Sequence, residues 1–326
     1  MTMYDEFYGE GGAGAALPPL YLEKVDVRRE RKRFSTICLG LLGFLIFTII
    51  ADVLFTWLVA WIDYRLIFDN EYMSWISATA QYLVGFPLCV LIITRIPSDP
   101  MEQSNMSLAS FLKFFLIAVM ALYLGDLLGM MVNDSLAELL GHTPTDIVTD
   151  NIDNTSFFYN FVTSVLCAPI CEEIVFRKLL VDRTNRLGDQ ASMLLSGILF
   201  GLFHGNFYQF FYAMFVGFVF AYIYLRTAKL RYTIALHMLI NFFFGVCTTA
   251  FNSLPEIAST IWGIVILIAA AAGFVVFLMN WKRIRILKGW LDLPNGRWGY
   301  LVFPTVGFVF LFLGCAAEFV SNIFLV

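Results

Sequence analysis

Nine apolar runs, each close to the ~20 residues that a helix needs to cross bilayer hydrocarbon, occupy about 37–61, 74–94, 111–132, 157–182, 190–206, 207–225, 231–251, 258–280 and 300–324. They constrain the fold more than any other feature. A chain in lipid must satisfy its backbone donors and acceptors internally, and segments of this length do so as helices. The predicted fold is all-α: a polytopic transmembrane helical bundle of about nine spans. Only 14% of the residues are charged, against about a quarter in a soluble domain. A soluble enzyme is excluded, the lipid bilayer is the expected surrounding, and no nucleic-acid partner is expected. The fifth and sixth runs nearly touch, which calls for a tight turn at Gly205-Asn206.

Charge distribution orients these runs. Residues 1–35 read as a tail, with a Gly/Ala/Pro-rich stretch expected to be disordered and a basic juxtamembrane segment from Lys24 to Arg33. That segment suits anionic lipid or, more simply, a topology signal beside the first run. No cleavable leader precedes the first run, so it reads as a signal-anchor. The rest, 36–326, is the transmembrane domain. With the N-terminus in the cytoplasm, 20 of the 21 Lys and Arg fall on the inner side or on helix ends flanking it, leaving Arg65 outside, and the loop 133–156 is acidic without Lys or Arg. This positive-inside pattern predicts a multi-pass protein of the cell membrane with its C-terminus on the opposite side.

Ionisable residues inside apolar runs are costly to bury and read as functional by default. Asp52 and Asp126 lack an embedded basic neighbour in sequence, and Asp126 sits in a small-xxx-small pattern formed by Gly125 and Gly129, so neither is expected to be catalytic. His142 reads as a surface residue of the acidic loop. The six cysteines lie in apolar runs without metal-ligand spacing and read as small buried hydrophobes. The concentration of polar groups lies in 157–251. There the fourth run holds Glu172, Glu173 and Arg177, the fifth holds Phe200 and His204, and the seventh holds His237 and Asn241. Adjacent acids on a helix point about 100° apart. Glu173 and Arg177, at i and i+4, can pair, which leaves Glu172 to face a cavity as a general base. Pro169 is positioned to kink the helix and open polar space.

EExxxR from Glu172 to Arg177, FxxxH from Phe200 to His204 and HxxxN from His237 to Asn241 stand in the order and spacing of the CPBP intramembrane proteases. This family is also called the CAAX protease or Abi family, and it includes the Rce1-type prenyl-protein endopeptidases. The resemblance covers about 164–244; Lys178 departs from it, since many members have Gly there. It implies a catalytic core over 157–251, with the active site inside the bundle, acting on a membrane-associated protein or peptide. In that reading Glu172 activates water with help from His204, His237 and Asn241 stabilise the oxyanion, and Glu173, Arg177 and Phe200 support them. Glu172, His204 and His237 can alternatively be read as an open Zn2+ site; both mechanisms remain open from sequence. The alternative function is that of a non-catalytic Abi-type membrane protein in bacteriocin self-immunity, or a partner-binding scaffold. Internal repeats of the kind transporters carry are missing.

Depth poses a geometric problem. Counted from the cytoplasmic turns, Glu172 and His204 lie roughly 21 Å in, but His237 only about 9 Å. The seventh helix must start below the membrane surface, or the fourth and fifth must be tilted or broken. A water-filled cavity open to the cytoplasm is expected to bring the residues together.

Overall fold

The computed structural model describes residues 22–99, 101–141, 155–293 and 297–324. Each apolar run falls on a helix. In chain order these are α1 (Val27–Asp63), α2 (Asn70–Ile93), α3 (Leu108–Leu140), α4 (157–184), α5 (Asp189–Leu202), α6 (Phe207–Thr227), α7 (Leu230–Asn252), α8 (Glu256–Asn280) and α9 (Val306–Phe324). The only sheet among the described residues is a two-residue parallel pair, Glu23–Lys24 beside Leu291–Asp292.

Seven helices are long and apolar enough to cross a membrane; α4 and α5 are not among them. The all-α polytopic bundle is as expected, and α4 and α5 differ from the other seven helices in charge or length. α4 carries four charged residues between Glu172 and Lys178, and α5 has 14 residues, about 21 Å, which is the length of an internal helix rather than a span. α5 is largely buried among the other helices, whereas α4 is buried along the Glu173–Arg177 side and exposes Phe157, Phe158 and Ile170. Large apolar side chains on the outer helices face outward, as with Trp61 at 77% and Phe68 at 76% exposure. A surface of this kind is stable only in lipid, so the chain is a multi-pass membrane protein.

The packing divides into two halves. One cluster joins α1, α2, α4, α5 and α9 through residues such as Ile37, Leu41, Ile93, Phe176, Phe200 and Leu311. The other joins α3, α6, α7 and α8 through Phe114, Ile117, Phe220, Ile223 and Leu236. The α3–α6 contact depends on missing side chains. A Cβ on Gly125 would collide with the backbone of Tyr212, and one on Gly129 would lie 2.8 Å from the Phe207 carbonyl, as the small-xxx-small pattern anticipates. Because α3 continues from Gly129 to Leu140, the α5–α6 turn stops roughly 16 Å short of the end of α3.

Two expectations for the N-terminal segment and the cysteines change. The basic run is not a flexible tail: from Val27 it forms the first turns of α1, with Asp26 as N-cap accepting from the Arg29 amide. Residues 1–21 and His142 lie outside the described residues. Cys38, Cys89 and Cys315 are buried, but Cys167, Cys171 and Cys247 are half-buried, and Cys171 lines the cavity described next.

Candidate active site

Four π-helical stretches surround one region: Gln81–Gly85 in α2, Phe161–Cys167 and Ile174–Leu179 in α4, and Asn241–Cys247 in α7. Two of them precede prolines, Pro87 and Pro169, which stand in the first turn of the next α-helical stretch. A proline removes a backbone donor and crowds the preceding turn, and a π turn accommodates both. Such turns are frequent at functional sites because they re-aim side chains. Here they border a cavity of about 720 Å³ lined by Tyr82, Glu172, His204, His237 and Asn241.

The two acids of α4 have different surroundings. Glu173 has no exposed side-chain surface, and its Oε2 lies 3.1 Å from Nε of Arg177, which is also fully buried. Its Oε1 accepts from Nδ1 of His237 at 3.1 Å. Arg177 donates to Ser196 Oγ at 3.3 Å, and its guanidinium lies 4.8 Å from the Phe200 ring centroid and 5.6 Å from that of Phe220. Cation–π contact is strongest where the cation is desolvated. Glu172 has 24% of its side chain exposed and lies on the cavity wall, with Oε2 3.6 Å from Nε2 of His237. That distance is too long for a direct hydrogen bond. Each nitrogen of His237 therefore faces a carboxylate.

His204 follows the end of α5, where its Nδ1–H donates to the Phe200 carbonyl at 2.8 Å. This fixes the tautomer and leaves Nε2 uncommitted. The turn behind it is held by Gly205 at φ +67° and by Asn206, whose amide donates to the His204 carbonyl at 2.8 Å. Phe200 packs against both imidazoles, its centroid 5.0 Å from His204 and 5.7 Å from His237. Asn241 donates to the Ser164 carbonyl of α4 at 2.8 Å, tying α7 to α4. All seven residues singled out in the sequence thus meet in one place.

The depth problem resolves through α7. Leu230, its first residue, packs in the cluster of Val181 and Tyr224, so α7 begins alongside Val181, well short of the α4–α5 turn. Eight residues separate Val181 from Glu173 and seven separate Leu230 from His237, which brings the two side chains level. Arg177, counted among the cytoplasmic charges, is in the bundle interior, whereas Lys178 is 53% exposed and pairs with Asp182 at 2.7 Å.

The cavity lining extends toward one end of the bundle. The cavity reaches Ser74 at the start of α2, Thr155 and Tyr159 at the start of α4, and Gln209 at the start of α6. All of these lie at the end opposite the basic residues. The basic end is covered by the buried ion pairs of Arg186 with Glu30 at 2.6 Å and Arg226 with Asp189, and by the half-buried pair of Arg33 with Asp99 at 2.8 Å. The linker from α2 to α3 crosses over it, with the Asp99 amide donating to the Asp182 carbonyl at 2.7 Å and that of Ser104 to Thr227 at 3.0 Å.

Among the described residues no three His, Cys, Asp or Glu side chains gather to hold an ion; Nδ1 of His204 and of His237 is engaged, which leaves Nε2 of each ring for a proton or a ligand.

Sequence reasoning missed the contribution of α2. Tyr82 lines the same cavity as Glu172, and its hydroxyl makes only a long bond, 3.4 Å, to the Thr163 carbonyl. Gln81 also lines the cavity. The signal was a Gln-Tyr pair inside an apolar run that also contains Pro87.

Fold and site together define a class: a multi-pass helical membrane protein whose bundle encloses a carboxylate–imidazole cluster on a cavity wall. Residues 154–243, which hold every motif residue, match the family model described as type II CAAX prenyl endopeptidase Rce1-like. No curated protein and no solved structure matches the chain.

Proposed function

We propose that the chain is an intramembrane endopeptidase that hydrolyses a peptide bond of a membrane-associated protein or peptide through a water activated by Glu172. The observation that carries this reading is the contrast between the two acids: Glu173 is enclosed by Arg177 and His237, while Glu172 stands on the cavity wall 3.6 Å from His237 Nε2. Glu172 takes a proton from water as the oxygen bonds to the peptide carbonyl carbon. His237 Nε2 is near enough to share that proton, because its Nδ1–H is engaged by Glu173. Asn241 has a second amide N–H beyond the one given to Ser164, and with protonated His237 it donates to the developing oxyanion; His204, whose Nε2 is an acceptor in this tautomer, assists Glu172 by accepting a hydrogen bond from the attacking water. The C–N bond then breaks and the proton passes to the leaving amine. Enclosure in the bundle strengthens each interaction relative to water. This sequence runs through the chain's own side chains, with no metal step.

The basic end, by the positive-inside rule, faces the cytoplasm and carries the N-terminus, in a cell membrane location with the C-terminus opposite. The test is cleavage of a membrane-borne reporter peptide by purified protein. Wild type is expected to cut it and Glu172→Ala to leave it intact. Equal cleavage by both removes Glu172 from the chemistry. A chain that cuts nothing, and whose Glu172→Gln and His204→Ala variants keep a protective phenotype in cells, is a binding protein instead.

A further inference from the structure

The family description implies a substrate tail presented from the cytoplasm, but the cavity leads the other way. We infer that the site is entered from the face opposite the basic residues, and that its substrate is an extended polypeptide segment at the extracytoplasmic end of a membrane anchor. The substrate class rests on the peptidase reading above; the direction of entry does not.

Three observations support the direction. The cavity lining runs from Glu172 and His237 only toward the starts of α2, α4 and α6. At the other end Arg183, Thr184, Asn185, Arg186, Asp189 and Arg226 are all buried. They are covered by the linker between α2 and α3 and by the 284–293 segment, where the Asp189 amide donates to the Leu287 carbonyl at 3.0 Å and Gly188 bridges to Lys288. Opening that end would expose or unpair several buried charges, each costly to leave without its partner.

The walls indicate what enters. Both sides mix polar and apolar groups: α2 and α4 present Ser74, Gln81 and Glu172 beside Met73, Ala78 and Phe176, and α6 and α7 present Gln209, His237 and Asn241 beside Ala213, Ile240 and Phe244. An acyl or prenyl chain has no use for the polar groups. An extended peptide has use for such a mixture, because its side chains point alternately to opposite sides and its backbone needs polar partners once out of water. The Gln81 side chain makes no hydrogen bond among the described residues and offers both a donor and an acceptor to such a backbone. The volume of about 720 Å³ lies within the ~300–1,000 Å³ of sites that enclose a ligand.

The direction is tested by thiol accessibility in sealed membranes of known orientation. Gln81→Cys and Ser74→Cys place thiols in the passage, and Lys282→Cys marks the basic face, where Lys282 is exposed. A charged, membrane-impermeant maleimide is added from either side, and the modified peptide is located by mass spectrometry, so the native cysteines are read separately. The expected result is labelling of both passage variants only from the side that leaves Lys282→Cys untouched. Labelling from the same side as Lys282→Cys overturns the inference, as does labelling of neither passage thiol by the charged reagent while a small permeant maleimide modifies both. The labelling needs no catalysis. In a second arm, reporters carry the same scissile segment on one or the other side of a single membrane anchor. Cutting of only the extracytoplasmic form is expected, and cutting of only the cytoplasmic form overturns the substrate assignment. If neither is cut while the labelling is as expected, the peptidase reading fails and the direction of entry stands.

Discussion

The two ends of the bundle are built from similar polar residues and do opposite things with them. At the basic end the charges are paired and buried, and they tie α1, α4, α5 and α6 to the connecting segments. At the other end polar side chains line space rather than fill it. Glu172 and Glu173 reproduce this contrast between neighbours in sequence. A buried polar group that is fully partnered specifies a structure, and one left facing a cavity is free for a ligand or for chemistry.

Breaking the closed side should have the largest effect on folding. Glu173→Ala leaves Arg177 charged and unpaired among Phe200 and Phe220, and should cost about 3–5 kcal/mol of stability, read as a lower thermal midpoint in detergent. At the basic end, Arg226→Ala strands Asp189 and should also destabilise by about 3–5 kcal/mol. Its cleavage rate per folded molecule should stay at the wild-type level, since Arg226 does not line the cavity. On the open side, Tyr82→Phe should leave the midpoint unchanged and lower kcat about tenfold, the scale of one lost hydrogen bond in the range of ~0.5–1.5 kcal/mol; an unchanged kcat assigns Tyr82 to the wall alone. The smallest effect is expected from EDTA, which should leave the cleavage rate where it was. A loss restored by Zn2+ would instead mean that Glu172, His204 and His237 move together to hold a metal.

Much of this contrast was legible in the sequence, for local reasons. The i, i+4 spacing of Glu173 and Arg177 on one helix separates the acids without any tertiary information, and Gly125 and Gly129 mark a close helix contact. Charge asymmetry marks the basic end. What was not legible depends on helix length and on neighbours distant in sequence. The run 190–206 reads as one apolar segment, but α5 ends at Leu202 and the turn carrying His204 follows within the run. Four π stretches shift the side chains around the cavity, and only Pro87 and Pro169 hint at two of them. The covering of the basic end needs the linker between α2 and α3 and the 284–293 segment, neither of which has a periodic pattern, so it was not legible. Tyr82 was passed over because its partners are on α4, some eighty residues away.

The division between the two acids is tested most directly by measuring kcat and thermal midpoint together for Glu172→Gln, using the membrane-borne reporter. The variant should fold with a wild-type midpoint and cut at least ~100-fold more slowly, the lower bound for losing a general base. A Glu172→Gln protein that cuts at the wild-type rate, or one that loses cleavage only because it no longer folds, would contradict the account.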